Sequence, residues 1–168
     1  MESDGNFPLS KKPIVGDVFE IQLDSSSRRF FQYVADDATQ LHSNVVRVFR
    51  ETYRIDEPVD IRRVISGEID FHVHVLLRVG FKLEVWRKCG SAPPPGDLDL
   101  LFRNSSDYGN PKVKVSKNWF VWKINGPHED VGELTPKFQR AEIGVIVPPA
   151  SVAHRMRTGK YDFFYPEY

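Results

Sequence analysis

The sequence is poor in features that announce a specialised chain: it has one cysteine, no surplus of either charge, no internal repeat and no low-complexity run. A lone thiol, Cys89, excludes an intramolecular disulfide, so folding needs no oxidising compartment and a reducing cytoplasm fits. The 23 Lys and Arg residues balance the 23 Asp and Glu residues, which argues against a dedicated nucleic-acid binder. The opening stretch MESDGNFPLSKK is acidic and polar with no apolar run, and predicts neither a signal peptide nor a membrane anchor. Absent too are the GxxxxGK[ST] and GxGxxG loops, the GxSxG elbow and the HExxH helix, so the common nucleotide, hydrolase and zinc-protease readings have no anchor and no cofactor is expected.

What is present favours a sheet. Twelve Phe, six Tyr and three Trp, with many Val and Ile, suit pleated and half-buried surfaces. A length of 168 residues and 40% hydrophobic content suffice for one core. The expected organisation is a flexible arm over residues 1–12, broken by Pro8 and Pro13, and a single β-rich domain over residues 13–168.

GDVFEIQL, Gly16 to Leu23, places Phe19, Ile21 and Leu23 on one face and Val18, Glu20 and Gln22 on the other, the period of a strand. The polar run Asp24 to Ser27 turns it into a second strand from Arg28 to Ala35, and Asn44 to Glu51 reads as a third. Pro58 opens a short helix over Val59 to Ile65, stopped by Gly67. Glu68 to Leu77 has the cleanest period of two, and Phe81 to Arg87 continues it after either a turn or a bulge at Gly80. SAPPPG, Ser91 to Gly96, is a stiff loop. A short strand is expected at Asp97 to Arg103 and a longer one at Val113 to Ile124, and Ile143 to Val147 reads as a final buried run. A last helix starts at Pro149 and stops at Gly159, and the aromatic tail KYDFFYPEY packs back on the body. The fold class is therefore mainly β (α+β): an antiparallel, strongly curved or barrel-like sheet with one or two short helices.

Three clusters invite a chemical reading. Asp70, His72 and His74 leave one strand face, the start of a metal site for a small metal-dependent hydrolase, although a solvated face carries the same spacing. Cys89 sits between Lys88 and Gly90 without a nucleophile signature. The cations Arg87 and Lys88 would lower its pKa and make it a labelling site. The acidic pairs Asp36 with Asp37, Glu129 with Asp130, and Asp97 with Asp99 all fall in or beside polar loops, where carboxylates are usually solvated. In Val113 to Ile124, Trp119 and Val121 share one face and Phe120 and Trp122 the other. Either that strand is sandwiched within the chain or one face awaits a partner.

The segment PIVGDVFEIQL, with Pro13, Gly16, Asp17, Val18, Phe19, Ile21 and Leu23 in place, resembles the opening of the bacterial immunity protein 26 family. NWFVWKING, Asn118 to Gly126, is similar to that family's second characteristic region. The resemblance covers about a fifth of the chain and implies a cytoplasmic immunity protein that protects its own cell by occluding a cognate toxin, without catalysis. Trp86, Trp119 and Trp122 would then be the anchors of the interface, with Asp36, Asp37, Glu129 and Asp130 as its steering rim.

Overall fold

The computed structural model describes residues 12–168, so residues 1–11 of the expected arm lie outside the described residues. The first sheet is built from β1 (Asp17–Gln22), β2 (Ser27–Asp37), β3 (Ser43–Phe49), β4 (Tyr53–Arg54), β5 (Ile69–Val75) and β6 (Arg87–Ser91). Its order is β5-β3-β2-β1-β6, every pairing is antiparallel, and β4 joins β2. The second sheet holds β7 (Leu101–Ser105), β8 (Trp119–Lys123), β9 (Glu129–Gly132) and β10 (Glu142–Ile143) in the order β10-β7-β8-β9, with only β10 and β7 parallel. Four short helices complete the described residues: α1 (Ile61–Ile65), α2 (Leu77–Lys82), α3 (Pro136–Gln139) and α4 (Pro149–Thr158). No helix among them is long and apolar enough to cross a membrane.

Period-two alternation in β1, β2 and β3 sends apolar side chains to both faces of the first sheet, so both must be covered. On one face Phe19, Phe31, Val46, Val48, Phe71 and Val73 pack with Trp86 and with Val152, Ala153 and Met156 of α4. On the other, Val18, Phe30, Phe49 and Tyr53 pack with Val64 of α1, and further along Val34 and Val45 meet Phe102 and Trp122 of the second sheet. The chain from β10 onward joins the sheets a second way, through a parallel bridge of Ile146 with His74 and a Val147 N–H donated to the His74 carbonyl at 2.9 Å. The strand order does not close on itself, so the fold is two open sheets and not a barrel.

Local expectations hold where local chemistry decides. The helix expected over Val59 to Ile65 is present but starts at Ile61, not behind Pro58, because Asp60 caps it by accepting the N–H groups of Arg62 and Arg63. Gly159 ends α4 in the left-handed conformation at φ 84°. The tail returns to the body, Tyr161, Phe163 and Tyr165 packing on the main core and Glu167 bridging Val115.

Three expectations are corrected. Phe81 to Arg87 is not a strand: Leu77 to Lys82 coils into α2 because Trp86 folds back over Gly80, where a Cβ would lie 1.9 Å from the ring. Val113 to Ile124 is not one strand, since Lys114 and Ser116 spend their backbone groups on Glu167 of the tail and only Trp119 to Lys123 joins the sheet. There are four helices among the described residues, and α3 together with β9 occupies what reads as a polar loop.

Candidate functional site

The sheets meet over a buried polar centre. Asp37, the last residue of β2, and His74 on β5 both have fully buried side chains, with His74 Nε2 2.9 Å from Asp37 Oδ2. The same oxygen accepts the Trp122 Nε1–H at 2.9 Å, and Asp37 Oδ1 accepts the Asn125 N–H at 3.3 Å. A carboxylate only accepts, so His74 donates from Nε2 and keeps its lone pair on Nδ1, which has no hydrogen-bond partner. The ring packs edge-on against Phe102, centroids 4.2 Å apart. Burial pushes the His74 pKa down, outweighing the pull of Asp37. Burial alone would raise Asp37, but the donors His74, Trp122 and Asn125 hold its carboxyl below the ordinary range. A general base needs a path to its substrate, and this imidazole has none to solvent; its geometry ties β2, β5 and β8 together.

The seam fixes two surface turns. The Ala38 N–H donates to Asn125 Oδ1 at 2.8 Å, and Thr39 Oγ1 and Gln40 Nε2 donate to the Gly126 carbonyl at 3.2 and 3.0 Å. Asn125 holds a left-handed backbone, φ 60°, a conformation asparagine tolerates. The turn after β2 is thereby locked to the turn after β8, and Asp36, Glu129 and Asp130 stand exposed beside them. A cleft of about 590 Å³ opens next to Glu129, bounded by His72, Lys137, Arg140 and Glu142, and a smaller hollow of about 380 Å³ lies beside Asp130, Phe120 and His128.

The three tryptophans are not where an interface needs them. Trp86, Trp119 and Trp122 are 3%, 1% and 2% exposed, and each indole N–H is bonded internally, to the Leu77 carbonyl, the Ser116 carbonyl and Asp37. Asp37 is corrected for the same reason: it belongs to the core, not the rim. β8 is sandwiched within the chain, Trp119 and Val121 against Leu134 and Trp122 against Phe102 and Val34.

The Asp70, His72 and His74 face is not assembled into a site. Asp70 pairs with Arg29 at 2.8 Å and Arg50 at 3.2 Å, His72 Nδ1 lies 3.8 Å from Glu142, and His74 is taken by Asp37. Among the described residues no group of three or more His, Cys, Asp or Glu side chains could hold a metal ion. Burial, aided by Glu20, pushes the Cys89 thiol up to about 12, so the expected lowering by Arg87 and Lys88 does not win.

No protein-family model, curated protein or solved structure matches this chain.

One surface was missed in the sequence. On α2 and at its ends, Leu76, Val79 and Leu83 are 41%, 37% and 63% exposed while Leu77 and Gly80 are buried. Only Val79 lies within the helix, with Leu76 extended before it and Leu83 after it, so no helix-face period in the sequence could have shown this surface. Pro13 shares a hollow of about 430 Å³ with Asp36, Leu76 and Arg78, which places α2 beside the acidic turn.

Proposed function

We propose that this chain is a cytoplasmic immunity protein that binds and neutralises a cognate bacterial toxin by occluding it on a strongly curved β scaffold, with no chemistry of its own. The observation that carries this reading is the locked pair of turns, which holds Asp36 at the end of β2 and Glu129 and Asp130 at the start of β9 exposed beside one another although they come from distant parts of the chain. Carboxylates fixed in advance lower the ordering cost of association and steer a partner whose active-site entrance is basic. The resemblance of PIVGDVFEIQL and NWFVWKING to the immunity protein 26 family supports the same conclusion.

The test is co-expression of this chain with the toxin encoded beside its gene, joined to calorimetry of the two purified proteins. A one-to-one complex and survival of the host are expected. Neutralising Asp36, Glu129 and Asp130 together to Asn, Gln and Asn should slow association and weaken its dependence on salt. A toxin that still kills, with no heat of binding, rejects the proposal.

A further inference from the structure

We propose that the cleft between α3 and the second sheet binds a small zwitterion, an amino acid or dipeptide with an apolar side chain. This goes beyond the immunity reading and does not rest on it.

The cleft has the size for such a molecule: its volume of about 590 Å³ falls within the range of small-molecule sites, roughly 300–1,000 Å³. Leu100 and Leu101 at the start of β7, Val121 on β8 and Phe138 on α3 give it an apolar wall.

One carboxylate is built into it. The Glu142 side chain is 25% exposed and that of His72 beside it 13%, so both sit below the open surface. Glu142 Oε1 accepts the His72 backbone N–H at 3.3 Å and lies 3.8 Å from His72 Nδ1, which holds the carboxylate against β5. Among the described residues no Lys or Arg lies at ion-pair distance from Glu142, and its Oε2 accepts no hydrogen bond. The other carboxylates that are not exposed are all better served. Asp17, Glu20, Glu57 and Asp70 each have a Lys or Arg partner, while Asp37 and Asp107 accept side-chain N–H or O–H donors. A carboxylate drawn out of water without a cation of its own favours a cation that a ligand brings.

The remaining charges say that the ligand must also bring an anion. Lys123 and Asp99 neutralise one another 2.6 Å apart. That leaves Glu129 and Glu142 facing the cleft with Lys137 and Arg140, and neither of these cations has a carboxylate at ion-pair distance among the described residues. Lys123, and after it Arg140, hold the Asp99 carboxyl below its usual range, which puts Arg140 close to that wall. Lys137 lies over the Phe138 ring, 5.1 Å from its centroid. A plain anion would meet Glu129 and Glu142, and a plain cation would meet Lys137 and Arg140. A zwitterion satisfies both signs, its ammonium on Glu142 and its carboxylate on the Arg140 guanidinium, with its apolar side chain against the leucines and Phe138.

The experiment is calorimetry of the wild-type chain with L-leucine and with leucyl-leucine, beside isocaproate, which lacks the ammonium, and isoamylamine, which lacks the carboxylate. Binding of leucine or of the dipeptide is expected, the tighter of the two telling which size fits, with each single-charge analogue at least about 10-fold weaker. Glu142→Gln and Arg140→Gln should each weaken the zwitterion by about 10-fold or more, with thermal melting as the folding control. If Glu142→Gln melts lower than wild type, the exposed Arg140→Gln is read in its place. No binding of either zwitterion overturns the proposal. So do an isocaproate or isoamylamine affinity equal to that of the zwitterion, which makes the cleft a site for one charge only, and a well-folded Arg140→Gln chain that binds like wild type. None of these outcomes bears on toxin binding.

Discussion

The seam between the sheets buries a carboxylate and an imidazole, whereas helix α2 turns a valine and two leucines toward water. Both invert the ordinary sorting of side chains, and they differ in whether the chain itself compensates. At the seam every N–H that faces Asp37 is aimed at one of its oxygens, so the buried charge is satisfied and the sheets are held at one relative position. On α2 nothing within the described residues covers the apolar face. The two regions should therefore respond to mutation differently: removing the acceptor at the seam costs stability, whereas removing an exposed apolar side chain at α2 costs little.

The largest expected effect is on the seam. Asp37→Ala leaves the donors of His74, Trp122 and Asn125 without an acceptor in the core, and should cost at least about 3 kcal/mol in urea unfolding. Asp37→Asn, which keeps one acceptor oxygen, should cost less. An Asp37→Ala chain as stable as wild type removes the distinction between the two regions.

Next comes Gly80→Ala, which forces the Trp86 ring off its seat because the added carbon would lie 1.9 Å from it. Overpacking of this kind costs about 2 kcal/mol, read from thermal melting with a matching change in tryptophan fluorescence.

The third is a pH dependence. Burial depresses the His74 pKa, so the unfolded chain takes up that proton at a higher pH than the folded chain does. Stability is therefore complete above about pH 6.5 and falls as the pH drops through the folded-state value, with a slope of at most about 1.4 kcal/mol per pH unit. Asp37, also held below its usual value, adds its own loss only below about pH 4. His74→Gln should flatten the arm that starts below about pH 6.5 in urea titrations. An unchanged slope would assign that arm to other groups.

Smallest in stability is Leu83→Ser, expected within about 0.5 kcal/mol of wild type because the side chain faces solvent. A loss several times larger would make Leu83 part of the core.

Most of the strands were legible because period-two alternation is local: Ile69, Phe71 and Val73 announce β5, and Phe19 and Ile21 announce β1. Helix α2 was not, since Phe81, Leu83 and Val85 also alternate and only the placement of Trp86 over Gly80 settles the backbone. The seam was hidden for a related reason. Asp37 meets a histidine 37 residues away and a tryptophan 85 residues away, and no local pattern encodes either distance. The same fact explains the tryptophans: an indole looks like an interface anchor until its N–H finds an acceptor inside the fold. Asp36, Glu129 and Asp130 are exposed as expected, but at strand ends, Asp36 closing β2 and Glu129 and Asp130 opening β9, because the turns next to them were recognisable while the strand pairings that reach past those turns were not.

The most direct test of the division between a self-satisfied seam and an exposed helix face is hydrogen exchange of the wild-type, Asp37→Ala and Leu83→Ser chains. The account predicts that amides around Asp37, His74 and Trp122 are among the slowest in wild type, exchange faster in Asp37→Ala and are unchanged in Leu83→Ser. Fast exchange at the seam in wild type, or an Asp37→Ala chain whose seam is as protected as before, would contradict it.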